Sequence, residues 1–275
     1  MRVPRLLVLL SLCLAGTLLV ACRVEIGNGP AGEFEPATPG TLTVATERVP
    51  AAGFWLGTVA APTGGFEYGL AAALADRFGL DRVEIRTVPF ERMTAGDLAG
   101  ADLGLRQLTP TAEREENLDF SVPYISAPPA ALVRAGTEIR DLKTARELSW
   151  TTFRGTTLVD SLADAVGPEE SVIAPTQEEA VELVRSGEVD AALLDLPVAL
   201  ALAEDSGGEL EVAAQFAGDE ALAVALPEGS PNREAVDSAI RSLTADGTIS
   251  DLAEEWLGVS LPTTSFSVPG IRLIR

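Results

Sequence analysis

From Thr41 onward, short apolar runs alternate with longer stretches of helical period, the pattern of an α/β chain. TLTVAT (41–46) predicts one strand and RVEIRTV (82–88) the next. Between them, GGFEYGLAAALADRFGL sets Phe66, Leu70, Leu74 and Phe78 four residues apart, with Ala71 beside them. That spacing predicts one amphipathic helix closed by Gly79. Two later stretches echo each other: LAGADLGLRQLT (Leu98–Thr109) and RSGEVDAALLDLP (Arg185–Pro197). Each runs from a helix end through glycine to an aspartate, then into an apolar strand with polar residues at its C-terminal edge. Ligands of open α/β sheets bind outside the carboxyl ends of the strands. Two such edges far apart in sequence fit two lobes facing one cleft. The rival reading is that short helix-to-strand turns look alike in any α/β protein.

The first 22 residues, MRVPRLLVLLSLCLAGTLLVAC, carry a different pattern. Arg2 and Arg5 precede a run of leucine, valine and small residues, the n-region and h-region of a secretory signal. The run ends in Leu19-Val20-Ala21-Cys22, which resembles the lipobox of a bacterial lipoprotein. On that reading residues 1–21 are a lipoprotein signal peptide. Lipid on Cys22 then anchors the protein to the extracytoplasmic face of the cell membrane. The alternatives are an ordinary signal peptide, or a membrane span with a chance cysteine. Residues 22–40, rich in glycine, proline and glutamate, are expected to form a tether.

Composition narrows the function classes. The chain has 275 residues, 47% of them hydrophobic, enough for one large domain or two lobes. Acidic residues number 41 against 20 basic, a formal charge of −21; loss of residues 1–21 leaves 18 basic residues and −23. That balance excludes nucleic-acid binding through phosphates. There is no histidine, which removes Ser-His-Asp and Cys-His nucleophile systems and histidine metal sites. The only cysteines are Cys13 and Cys22, so the folded part is expected to hold no disulfide. No P-loop or metal-ligand spacing is present. No catalytic residue, cofactor or metal is expected, and the folded part is expected to be a monomer.

The candidate chemistry begins in LTPTAEREENLDFSVPY, where Arg114 stands among Glu113, Glu115 and Glu116. Thr111 reads as the N-cap of a helix start. A guanidinium offers paired donors that match a carboxylate. Arg114 either holds an anion or makes surface ion pairs worth under about 1 kcal/mol. Asp195 follows four apolar residues, Ala191 to Leu194. A carboxylate there needs a partner if buried; otherwise it caps the next helix.

Taken in order, TLTVAT, GGFEYGLAAALADRFG, LTPTAEREENLDFSVPY, FRGTT, SGEVDAALLDLPVA and LTADGTISDLAEEWLG resemble the bacterial extracellular solute-binding proteins, family 3, over residues 41–258. These are the polar amino-acid receptors of ABC importers. The most specific pieces are Thr111, Arg114, Asp119 to Ser121, Pro123 and Tyr124, with the closing D-G-T…W-L-G. The resemblance implies an α/β, two-lobed type II periplasmic-binding-protein fold with two crossing hinge segments. Lobe 1 is expected at 41–123 and 223–258, lobe 2 at 129–217, the hinges at 124–128 and 218–222, and an extension at 259–275.

Carried over residue by residue, the resemblance assigns Arg114 to a ligand's α-carboxylate and Asp195 to its α-ammonium. Thr156 and Thr157 supply further donors, Thr109 a backbone and hydroxyl contact, and Gln107 a backbone contact. The Phe90 ring packs on the ligand side chain. The match loosens in ERVPAAGFWLGTVAAPTGG. Glu47 stands where an aspartate is usual, and Phe54 or Trp55 supplies a second aromatic. Arg106 stands where small residues are common; facing the cleft it favours an acidic ligand side chain, facing away it pairs on the surface. Gly69 replaces a usual carboxylate, as in the substrate-binding-like domain of membrane-bound lytic transglycosylases. The implied function is capture of an amino acid for delivery to an ABC import permease, without chemistry. The rivals are a ligand sensor without transport and an arogenate or cyclohexadienyl dehydratase-like enzyme, for which Glu47 is the one acid at hand.

Overall fold

The computed structural model describes residues 33–167 and 171–259, and the backbone of 270–271. Cys13, Cys22 and the signal segment lie outside the described residues. In chain order the first part holds β1 (Thr41–Thr46), β2 (Leu56–Thr58), β3 (Ala61–Gly64), α1 (Phe66–Arg77), β4 (Arg82–Thr87), α2 (Phe90–Thr94), β5 (Leu103–Gly104), a single 3₁₀ turn (Arg114–Glu116) and β6 (Leu118–Phe120). Then come β7 (Ile125–Ser126), β8 (Pro129–Arg134), α3 (Leu142–Ala145), β9 (Trp150–Phe153), α4 (Leu158–Val166), β10 (Ser171–Ala174), α5 (Gln177–Ser186), β11 (Ala191–Asp195), α6 (Leu196–Asp205) and β12 (Leu210–Phe216). The chain closes with β13 (Ala221–Leu222), β14 (Ala225–Pro227), α7 (Arg233–Ala245), α8 (Thr248–Leu257) and β15 (Gly270–Ile271).

These strands build two sheets, ordered β4-β1-β5-β14-β6 and β10-β9-β11-β8-β12-β15. Each sheet belongs to one lobe. The chain passes between lobes twice, and the crossings pair with each other as the antiparallel ribbon β7·β13. At the second crossing a Cβ on Gly218 would stand 2.8 Å from Pro129 Cδ, so only glycine lets the two crossings lie this close. β1 is buried at every position and pairs in parallel with β4 and β5. Helix α1 buries Phe66, Leu70, Ala71 and Leu74, the predicted stripe. Its Gly69 faces α8, where a Cβ would meet Leu252 Cδ2 at 2.5 Å, so a larger residue there requires the Leu252 side chain to shift.

Three buried clusters form the core. The first fills lobe 1 around Trp55, Phe66 and Leu70, and the third backs the lobe 2 sheet around Trp150 and Phe216. The middle cluster joins Phe90, Met93, Leu108 and Phe120 of lobe 1 to Phe153, Val181, Leu194 and Leu196 of lobe 2. Apolar packing is therefore continuous across the cleft, and the lobes are shut.

Two expectations need correction. The end of the predicted tether is part of lobe 1: Phe34 stacks on Phe78 at 4.2 Å, Glu35 N–H donates to Asn232, and Ala37 N–H to Asp102. An aromatic residue at 34 found an apolar partner that composition alone does not reveal. The helix predicted at Thr111 is only a 3₁₀ turn, although the Thr111 hydroxyl does accept the Arg114 N–H at 3.2 Å. In the extension, Gly270–Ile271 adds a strand beside β12. Among the described residues no helix is long and apolar enough to cross a membrane.

Candidate functional site

The carboxyl ends of the parallel strands in both sheets point at one cavity, lined by Phe90, Arg106, Gln107, Thr109 and Arg114 from lobe 1 and by Phe153, Thr156, Gln177, Leu194, Asp195 and Val198 from lobe 2. The space left is about 10 Å³, room for a single water. An organic ligand fits there only if the lobes part.

Arg114 is 8% exposed, while its neighbours Glu113, Glu115 and Glu116 are exposed. Its Nη1 donates to the Thr109 carbonyl at 2.7 Å, and its Nη2 crosses the cleft to the Gly155 carbonyl at 2.9 Å. Both bonds go to neutral carbonyls, so among the described residues the positive charge has no direct carboxylate partner. Burial pulls its pKa below the ordinary arginine value, while the nearby Asp195 opposes that shift.

Asp195 ends β11 and precedes Leu196 and Pro197 of α6. Its side chain makes no capping bond to that helix, and its Oδ1 is shielded from solvent without a hydrogen-bond partner among the described residues. Desolvation, then the charge of Glu220, push its pKa up to about 8, against the pull of Arg114 and Arg106. A half-buried carboxylate with one shielded, unpartnered oxygen beside an under-neutralised buried guanidinium is costly in isolation. The same pair matches a molecule carrying an anionic and a cationic group.

Arg106, 3% exposed, lines the cavity rather than the outer surface. Its Nε and Nη2 both donate to Glu47 Oε2, at 3.0 and 2.9 Å, and its Nη1 donates to Gln107 Oε1. Glu47 does not itself line the cavity: it sits behind Arg106, and its Oε1 accepts the Phe90 N–H at 3.2 Å. Phe90 meets Phe153 across the cleft edge-on at 5.9 Å, and the guanidinium carbons of Arg106 and Arg114 lie 5.4 and 5.7 Å from its ring centroid.

Gln107 has a positive φ of 49°. It is held there by Glu67, a fully buried carboxylate on α1 that accepts from the Gln107 N–H at 2.8 Å and its Nε2 at 2.6 Å. Trp55 Nε1 and the Tyr124 hydroxyl also donate to Glu67, each at 2.8 Å. Burial raises the Glu67 pKa above the ordinary value, against the pull of the Gln107 N–H, Tyr124, Trp55 and the charge of Arg106.

Of the residues singled out in the sequence, Arg114, Asp195, Thr109, Thr156, Phe90 and Gln107 meet at the cavity. Phe54 and Trp55 do not. Phe54 packs edge-on against Phe66, Trp55 bonds Glu67, and both are buried in the lobe 1 core. They are followed by the antiparallel hairpin β2·β3, in the stretch where the spacing departs from the common one. Thr157 also points elsewhere: its hydroxyl donates to Glu220 Oε2 at 3.3 Å, beside Ser161 on the same carboxylate. Phe153, Gln177, Leu194 and Val198 were missed. The signal for Gln177 was available, since Thr176 accepts the Glu179 N–H at 3.2 Å in a capping pattern that starts α5 at a strand's carboxyl end. Among the described residues no group of three or more Cys, Asp or Glu could hold a metal ion.

The family model of the bacterial extracellular solute-binding proteins, family 3, matches residues 45–259. The L-cystine-binding protein TcyJ of Escherichia coli (strain K12) is 29% identical over 202 residues, 72% of this chain and 75% of that protein. The membrane-bound lytic murein transglycosylase F of Idiomarina loihiensis is 28% identical over 272 residues, 90% of this chain but 55% of that protein. Among solved structures, an amino acid ABC transporter substrate-binding protein from Streptococcus pneumoniae bound to L-arginine superposes with a TM-score of 0.69 at 27% identity, covering 80% of this chain and 95% of that one.

Proposed function

Since the chain belongs to the bacterial extracellular solute-binding proteins, family 3, we propose that it captures a free amino acid between its lobes and delivers it to an ABC import permease. The Arg114 guanidinium takes the α-carboxylate and Asp195 takes the α-ammonium. The protein is held at the extracytoplasmic face of the membrane by lipid on Cys22. The observation that carries the binding reading is that Asp195, whose Oδ1 is unpartnered among the described residues, and Arg114 line one cavity from opposite lobes.

Closure follows from the same geometry. A zwitterion touching both lobes replaces the Arg114–Gly155 bond with a charged fork and gives Asp195 the cation it lacks. Ligand binding then favours a form closed around the ligand, wider than the ligand-free shut form, by its contacts with both lobes. The similar proteins are binding proteins, apart from the transglycosylase, of which this chain spans little more than half. Glu47, the acid an enzyme reading relies on, is engaged behind Arg106, so the binding reading is preferred over a dehydratase. A thermal-shift screen of the purified protein against the amino acids tests the reading, because a ligand specific for the folded state raises its stability by mass action. At least one amino acid is expected to raise the melting temperature; a flat response to all of them refutes it.

A further inference from the structure

The amino-acid reading leaves open which side chains fit, and the charge arrangement around Phe90 answers that. Arg106 and Glu47 neutralise each other, with two N–H groups on one carboxylate oxygen and the other oxygen committed to the Phe90 backbone. Phe90 is also the ring on which a ligand cation would stack, yet guanidinium carbons already lie 5.4 and 5.7 Å from its centroid. Once Arg114 and Asp195 match the two main-chain charges, Arg106 and Glu47 cancel. A ligand with an uncharged side chain therefore leaves the charges that line the cavity, together with Glu47, in balance. A cationic side chain adds a third positive group beside Phe90 with no free carboxylate to meet it. An anionic one competes with Glu47 for Arg106 and leaves one buried negative charge in excess. An uncompensated buried charge is expensive in either sign. Gln177 and Thr156 remain on the lining as neutral polar groups.

Resting on the amino-acid reading above, we propose that the Arg106–Glu47 pair makes this a site for amino acids with uncharged side chains, selecting against cationic and anionic ones alike. Unbalancing the pair should reassign the preference. Glu47→Gln keeps the shape and frees Arg106 for an anionic side chain. Arg106→Gln frees the Glu47 carboxylate for a cationic one.

The test is calorimetric titration with the amino acids, among them L-glutamine and L-glutamate, which match in shape and differ in charge, and the longer, cationic L-arginine. In the unaltered protein the tightest ligand is expected to be uncharged, with L-arginine and L-glutamate at least about tenfold weaker, a difference of about 1.4 kcal/mol. In Glu47→Gln, L-glutamate is expected to gain at least about tenfold relative to L-glutamine. Should Arg106→Gln fail to fold by circular dichroism, Glu47→Gln alone decides. A charged favourite in the unaltered protein, or an unchanged rank order in Glu47→Gln, overturns the selectivity and leaves amino-acid capture standing. No binding by any amino acid overturns both.

Discussion

Arg114 Nη2 donates to the carbonyl of Gly155 across 2.9 Å, one hydrogen bond joining a guanidinium of the first lobe to the backbone of the second. The bond puts the most ligand-like donor of the cleft on the seam where the lobes meet. Removing the guanidinium should therefore act on ligand response far more than on fold. Arg114→Ala is expected to keep its circular dichroism spectrum and lose any ligand-induced rise in melting temperature. Arg114→Lys, which keeps charge but not the fork, should weaken binding by at least about tenfold. An unchanged thermal response in Arg114→Ala contradicts the assignment.

Asp195 makes a pH-dependent prediction. Its pKa rises from 3.8 to about 8 in the shut form, chiefly through desolvation and then through Glu220, with Arg114 and Arg106 pulling the other way. The folded form therefore binds the proton more tightly than the unfolded chain. Stability from this group is fully present below about pH 3.8 and is lost as pH rises toward and through 8. Relative to Asp195→Asn, the ligand-free protein should lose melting temperature steadily over that window, and bound ligand should narrow the gap. Parallel pH profiles for the two proteins contradict the burial of an uncompensated carboxylate.

Glu67 is a test of site support without ligand contact. Its four donors (Trp55, Tyr124 and two groups of Gln107) are left unpaired if the carboxylate is removed. Glu67→Ala is expected to cost more than about 3 kcal/mol in urea unfolding, since buried orphaned donors add to the cavity. A loss below about 1 kcal/mol would show that the network does not brace Gln107.

Arg48 of lobe 1 pairs with Glu178 in the first turn of α5, a second link between lobes. Both side chains are about a third or more exposed, so the pair should contribute less than about 1 kcal/mol to stability. Glu178→Ala is expected to speed ligand release by up to about fivefold at low salt, with the effect fading as ionic strength rises. Stopped-flow release rates that ignore both the substitution and the salt contradict a latch role.

Much of this was legible in the sequence, and the failures have physical reasons. The echo between Leu98–Thr109 and Arg185–Pro197 is a real structural repeat. Asp102 accepts from the Thr43 N–H and hydroxyl and returns its own N–H to that hydroxyl. Asp190 does the same with Ser149. Each aspartate locks the start of a strand whose far end reaches the cleft. Asp195 was readable because a charged residue that follows apolar strand positions has few places to go; Arg114, set among glutamates in a 3₁₀ turn, was readable only through the resemblance of its block to the family. Phe54 and Trp55 were not, because an aromatic side chain fits core and pocket equally well until the β2·β3 hairpin fixes its direction. Arg106 was ambiguous for a similar reason: its orientation depends on Glu47, 59 residues away, and no local period encodes that pairing.

The most direct test of the clasp is calorimetric titration with the tightest-binding amino acid beside its N-acetyl derivative and its α-amide. Each derivative removes one end of the zwitterion and leaves the side chain untouched. The account predicts that both bind at least about 100-fold more weakly than the parent, about 2.7 kcal/mol each. Retention of parent-like affinity by either derivative would show that the two ends are not held by Arg114 and Asp195.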